Sequence, residues 1–242
     1  NAEIYANISQ NYRSVTFSDI RVVSPTFIID SLITDEKGFT ADLGLRGRWQ
    51  KYLAFDVGAF ALQYNNRIGI LLDSRANRVR KNIGTAFIYG IEVFADWNMA
   101  ETFLQDNKKV KLNIFINSAF TDSEYIASEE NNVKGNKVEF IPAINFKSGI
   151  KAGYKNLLVS LQFSSLSNQF TDAENSSAPE DGDSRSGVIG EIPGYSILDF
   201  SMSYKFKKFT LESGILNFLD NQYYTRRATG YPGPGIIPSD GR

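Results

Sequence analysis

The chain has 242 residues, 42% hydrophobic and 22% charged, enough for one large β-rich unit and too polar on average for a bundle of membrane helices. It has no Cys and no His, which removes disulfides, thiolate chemistry, the Ser-His-Asp triad and most zinc sites, and so speaks against an enzyme, a bound metal or a cofactor. A formal net charge of -1 leaves no positive field to draw in nucleic acid. No window holds the roughly 18 consecutive apolar residues of a membrane helix, and Asn1 opens without the charged and apolar regions of a signal peptide.

Taken in chain order, period-two alternation predicts about nine strands, near Ala2–Tyr12, Lys37–Arg48, Tyr52–Ile68, Gly84–Asn98, Lys109–Tyr125, Pro142–Tyr154, Leu157–Asp172, Pro193–Phe206 and Phe209–Tyr224. Each has two unlike faces. In the second, Phe39, Ala41, Leu43 and Leu45 oppose Thr40, Asp42, Gly44 and Arg46. In the fifth, Val110, Leu112, Ile114 and Ile116 oppose Lys111, Asn113, Phe115 and Asn117. The sixth sets Ile144, Phe146, Ile150 and Tyr154 against Asn145, Lys147, Gly149 and Lys151. In the eighth, Leu198, Phe200, Met202, Tyr204 and Phe206 oppose Asp199, Ser201, Ser203 and Lys205.

A soluble sandwich alternates in the same way, so the connections decide. Trp49 to Lys51, Lys155 to Asn156 and Lys207 to Lys208 are short, whereas Arg13 to Glu36, Gly69 to Ile83, Ile126 to Ile141 and Thr171 to Pro193 are long and polar. Tight turns at one end and long loops at the other are the asymmetry of an outer-membrane barrel. The segments also exceed the roughly 5–6 residues usual for globular strands and suit a tilted membrane strand. Trp49, Tyr52, Trp97, Tyr154, Phe206 and Phe209 lie beside the short turns; Tyr64, Tyr89, Tyr125, Phe170, Tyr195, Tyr223 and Tyr224 lie towards the long loops, as two interfacial belts. The expected fold is all-β, an antiparallel transmembrane β-barrel in part, because an odd strand count closes no ordinary bacterial barrel.

Gly190-Glu191-Ile192-Pro193-Gly194-Tyr195-Ser196-Ile197-Leu198-Asp199, followed by Leu216-Asn217-Phe218-Leu219-Asp220-Asn221-Gln222-Tyr223-Tyr224, resembles the closing hairpins of TonB-dependent receptors. In that family a Pro-x-Tyr opening leads into a strand bearing Asp, and an Asn-Leu-Phe-Asp-like turn ends in Tyr; here Phe218-Leu219 departs from the usual order. Asp35-Glu36-Lys37-Gly38, Ala41-Asp42-Leu43-Gly44-Leu45 and Tyr89-Gly90-Ile91-Glu92 extend the likeness over nearly the whole chain. The resemblance implies residues 1–242 of the carboxyl-terminal part of a larger, about 22-stranded barrel, with the plug domain elsewhere. It places the closing strand beyond Gly241-Arg242. It implies an outer-membrane receptor of a Gram-negative bacterium, importing an iron chelate with energy from TonB acting on the plug. Thr225 to Gly235 looks like the tail of ferric-citrate-type receptors.

Arg75, Arg78, Arg80 and Lys81 fall in one predicted outer loop, and Arg226 and Arg227 begin another; guanidinium groups grip carboxylates in pairs, as ferric citrate would require. Contact with anionic lipopolysaccharide or plain solvation is the simpler use of the same charges. Glu174, Glu180, Asp181 and Asp183 form an acidic loop without the ordered oxygen spacing of a calcium site. Gly230 to Gly235, with Pro232 and Pro234, reads as a stiffened outer loop. Asp42, Arg46, Arg48, Asp56, Glu92, Lys147, Lys151, Asp199 and Glu212 mix both signs on the inner face, suiting a wet, plugged lumen. The competing functions are a passive or adhesive barrel, which needs no plug, and a soluble carbohydrate-binding domain, which needs no detergent.

Overall fold

The computed structural model describes residues 1–22, 25, 27–73, 75, 77–104, 109–177, 190–227 and 236–238. In chain order the elements are β1 (Ala2–Arg13), α1 (Phe17–Ile20), β2 (Phe27–Ile29), β3 (Glu36–Trp49), β4 (Leu53–Leu72), β5 (Arg78–Asn98), α2 (Met99–Phe103) and β6 (Val110–Ser128). There follow β7 (Ile144–Tyr154), β8 (Leu157–Leu166), β9 (Gln169–Phe170), β10 (Glu191–Ile192), β11 (Tyr195–Phe206), β12 (Phe209–Ile215), β13 (Tyr224–Arg227) and β14 (Ile236–Pro238). The main sheet runs β1-β3-β4-β5-β6-β7-β8-β11-β12, every neighbour antiparallel, with β2 added in parallel beside β5. The nine predicted strands are these nine.

Cross-strand register turns alternation along each strand into rows across the sheet, because directly opposed residues share a face. Trp97, Ile114, Ile150, Leu161, Phe200 and Ile215 make one such row. Glu3, Arg46, Asp56, Phe94, Asn117, Lys147 and Ser164 make one on the opposite face. The apolar sets of the four segments compared above, such as Leu43, Ile114, Ile150 and Phe200, fall on the first face, where side chains such as Ile4 and Ile8 stand about 80% exposed (78% and 80%). A contiguous apolar face of this extent far exceeds what a water-soluble surface carries and fits lipid. The mixed-charge residues of the second face pair locally: Arg46 bonds Glu3, Tyr5 Oη donates to Asp56 Oδ1 at 2.9 Å, and Asn7 donates to Asp42 at 3.1 Å.

Aromatic rings on this inner face lie over glycines of neighbouring strands. The Tyr5 ring covers Gly44, where a Cβ would stand 2.2 Å from Cζ, and Phe115 covers Gly149, where a Cβ would stand 2.4 Å from Cε1. Only the missing side chain lets ring and backbone approach so closely.

The short turns sit where the sequence puts them. Gln50, Lys155 and Lys207 take positive φ (51°, 51° and 54°), the left-handed geometry that tight hairpins demand. Several boundaries differ from expectation. β4 and β5 continue to Leu72 and from Arg78, so the predicted loop from Gly69 to Ile83 shrinks to residues 73–77. β8 ends at Leu166, and the two residues of β9 pair with β10 instead. β12 ends at Ile215, because Asn217 and Asp220 turn left-handed (φ 48° and 53°) and bonds to β11 draw the chain out of the ladder. Asn217 N–H reaches Asp199 Oδ1 at 2.8 Å and Asn221 Nδ2 reaches the Ser196 carbonyl at 2.9 Å. Finally, the β5–β6 link holds helix α2, capped by Asn98, whose side chain accepts from Glu101 N–H at 3.0 Å.

Candidate functional site at the long-loop end

The long connections pack into two modules at the end of the sheet opposite the short turns. The first is the connection from β1 to β3. Arg13, the last residue of β1, holds it in place: Nη2 lies 2.8 Å from Asp19 Oδ1 and Nη1 lies 3.0 Å from Glu36 Oε1. Both carboxylates are buried, and such charges persist only when paired. Burial alone would raise the Asp19 pKa; donation from Thr16 Oγ1 and N–H and from Arg13 outweighs it and holds the carboxyl below its ordinary range. Asp35, which accepts from the Tyr12 phenol and the Val15 N–H, is likewise lowered.

From there the connection crosses to β5, where β2 pairs Phe27, Ile28 and Ile29 with Arg78, Val79 and Arg80. The Arg78 and Arg80 guanidinium carbons lie 5.8 and 5.2 Å from the Phe27 ring centroid, in the cation–π range. Arg80 Nη1 also donates to the Ser18 carbonyl at 2.5 Å and stands 4.0 Å from Asp19. Asn82 and Thr34 share three hydrogen bonds: Asn82 Oδ1 accepts from Thr34 N–H at 2.7 Å and from Thr34 Oγ1 at 3.2 Å, and Asn82 Nδ2 donates to the Thr34 carbonyl at 2.9 Å.

The second module joins the β6–β7 and β8–β11 connections. Asn175 bonds both the N–H and the carbonyl of Lys137, at 2.7 and 2.8 Å, and Asn136 Nδ2 reaches the Ala173 carbonyl at 2.9 Å. Val133, Val138 and Ala173 are buried with Leu71, Ile83, Ala86, Ile88 and Tyr125, giving the chain its main core. Inside this core Tyr125 bonds Glu139, and Arg67 reaches towards Glu36 at 3.9 Å, bordering the first module. Asp172 folds into a local turn, its Oδ1 accepting from Glu174 N–H at 3.0 Å and from Ser176 Oγ at 3.2 Å. Burial raises its pKa, with Glu139 adding to the rise against those bonds.

The six cationic residues singled out from the sequence divide between these surroundings. Arg78, Arg80 and Lys81 belong to the outer end of β5 rather than to a loop. Arg78 is buried against Phe27, and Lys81 pairs with Glu130. Arg227 donates to the Glu191 carbonyl through Nε and Nη2, at 3.1 and 3.0 Å. The Arg226 side chain lies outside the described residues. Arg75 is exposed at a loop tip, its backbone fixed by the Asp73 carboxylate at 2.8 Å. The acidic loop is described only at Glu174; Glu180, Asp181 and Asp183, like Gly230 to Gly235 and the final Gly241-Arg242, lie outside the described residues. Among the described residues no group of three or more acidic side chains is placed to hold a metal ion. Arg13, Asp19, Arg67 and Glu139 carry no local motif beyond the Thr16-to-Asp19 spacing of a helix cap, and Glu36 stands out in the sequence only through the Asp35-Glu36-Lys37-Gly38 likeness.

A meander of long, two-faced strands with tight turns at one end and packed loops at the other is a transmembrane β-barrel in part. The chain belongs to the TonB-dependent receptor β-barrel family, whose description "TonB dependent receptor-like, beta-barrel" matches residues 1–218. It resembles the ferric citrate transporter FecA in its unliganded form, at 22% identity and TM-score 0.75, over 99% of this chain and 34% of that one. The copper transporter OprC is similar at 14% identity and TM-score 0.70, over 99% and 35%. So is the ferric yersiniabactin uptake receptor FyuA from Yersinia pestis, at 19% and TM-score 0.70, over 99% and 33%. The chain thus spans about a third of the length of these structures (34%, 35% and 33%). No curated protein matches it in sequence.

Proposed function

We propose that the protein containing this chain is an outer-membrane receptor of a Gram-negative bacterium that takes up an anionic iron chelate, ferric citrate or a siderophore. TonB supplies the energy through a plug domain outside residues 1–242. The observation that carries the reading is the register-aligned sheet, with a lipid-compatible face of membrane height backed by a wet, charged face. The likeness to the ferric citrate transporter over 99% of the chain supports an iron chelate as cargo. Membrane lipid and lipopolysaccharide cover the apolar face. Transport requires no covalent step and no resident cofactor on this chain.

The chelate contacts we assign are Arg75, Arg78, Arg80, Lys81, Arg226 and Arg227. Arg75 stands nearest to incoming ligand by its exposure, while Arg78, Arg80, Lys81 and Arg227 exchange existing partners for the chelate. The test is calorimetric titration of the full-length protein in detergent with ferric citrate, using a neutral iron chelate as control. Selective binding, weakened in Arg75→Ala or in the Arg226→Ala, Arg227→Ala pair, supports the assignment. Binding unchanged by either variant moves the site elsewhere, and no binding of either chelate overturns the proposed cargo.

A further inference from the structure

Among the described residues the short-turn end carries more cations than anions. Lys51, Lys155, Lys207 and Lys208 occupy the tight turns, and all four are exposed. Within the described residues of these turns, 50–51, 99–104, 155–156 and 207–208, the one acidic residue is Glu101, which pairs with Lys51. The long-loop end differs, because there Asp19, Glu36, Glu130 and Asp122 each hold a basic partner.

These lysines are also set at the level of an aromatic collar. Lys155 Nζ lies 5.2 Å from the Tyr154 ring centroid and Lys207 Nζ lies 5.3 Å from that of Phe206. Beside them Trp49 packs edge-on to Tyr52 with centroids 6.1 Å apart, and Trp97 packs on Phe103 at 5.9 Å. Phe103 and Phe209 nevertheless stay largely exposed, at 64% and 76%. Exposed rings mark the depth of lipid headgroups, and lysine stems reach along apolar surface while keeping the ammonium in the headgroup layer. The left-handed turns at Lys155 and Lys207 hold the amines at the tip of each hairpin.

We propose that this end is a docking surface for anionic phospholipid headgroups, with Lys51, Lys155, Lys207 and Lys208 contacting the phosphates and the aromatic collar seating the glycerol and upper acyl region. This rests on the outer-membrane reading above. A lysine beside an anionic lipid surface strengthens attraction about fivefold, so four on one rim favour phosphatidylglycerol over a zwitterionic lipid of equal chain length.

The experiment reconstitutes the full-length protein in phosphatidylcholine vesicles and measures the motionally restricted fraction of spin-labelled phosphatidylglycerol against that of spin-labelled phosphatidylcholine. A several-fold preference for phosphatidylglycerol is expected, weakening with added salt and falling towards unity when all four lysines are changed to Gln. Changing the same four to Arg keeps the charge and the preference. Each variant is first checked for heat-modifiable mobility, so that a misfolded sample is set aside and the Arg series still decides. A restricted lipid fraction with no preference, or a preference the Gln variant retains, overturns the inference alone. Absence of any restricted fraction overturns the membrane reading with it.

Discussion

The phenol of Tyr125 donates to Glu139 Oε2 across 2.6 Å, at a point where Tyr125 has no exposed surface and Glu139 only 6%. The bond ties strand β6 to the connection that follows it, and it lies among Val133, Val138, Ile83 and Ala86 where water cannot substitute. A buried acceptor stripped of its donor loses its desolvation compensation outright. Tyr125→Phe keeps the ring and removes only the donor. We expect it to destabilise the outer module by about 1–3 kcal/mol. Hydrogen exchange of residues 129–141 reads this, and unchanged protection there with loosened β11 and β12 would sink the idea.

Arg13 satisfies two buried carboxylates at once, so Arg13→Met leaves Asp19 and Glu36 without their shared cation. Breaking a buried pair typically costs about 3–5 kcal/mol; Arg13 is itself 41% exposed, and water screens part of the loss, so about 2 kcal/mol is expected. Limited proteolysis within residues 14–35 should become faster, and adding Asp19→Asn should restore part of the resistance. A double variant as labile as the single one contradicts the pairing argument.

The two modules should answer pH in opposite directions. Asp19 and Asp35 have folded pKa values below the ordinary 3.8, so they contribute stability that is present above that value and lost as pH falls through the folded ones. Asp172 is raised above 3.8, so its contribution is complete in acid and lost as pH rises through the folded value. Exchange rates corrected for intrinsic pH dependence should therefore show residues 14–35 loosening in acid while residues 171–177 tighten. Parallel responses would refute the assignment.

Gly44→Val drives a side chain into the Tyr5 ring, which must swing away and release Asp56. Overpacking of this kind costs about 1–3 kcal/mol. Urea refolding into detergent micelles measures the loss, and a Tyr5→Ala, Gly44→Val double variant should lose less than the sum of the singles. Strict additivity would mean that ring and glycine do not meet.

The sheet was legible because register and alternation are written in local composition. Leu43, Ile91, Phe120 and Ile144 each announce their face within four or five neighbours, and the structure then aligns them. The outer modules were not legible in the same way. Asp19 is one acid among many until Arg13, more than a turn away, meets it, and Phe27 belongs to no periodic segment until Arg78 and Arg80 flank it. Asn217 and Asp220 shorten β12 through left-handed backbone, a tendency that Asn and Asp advertise but that pattern counting overrides. The cationic residues proposed for the ligand were chosen by charge, and charge does not disclose which of them the protein already uses for itself.

The parallel seat of β2 on β5 also sets an order of events. Residues 27–29 precede β3, β4 and β5 in the chain, yet the edge they pair with belongs to β5. Pairings that close a long stretch of chain form late, after local hairpins. The β1–β3 connection is therefore fastened only after β5 is in place, and its docking reports that this part of the wall has formed.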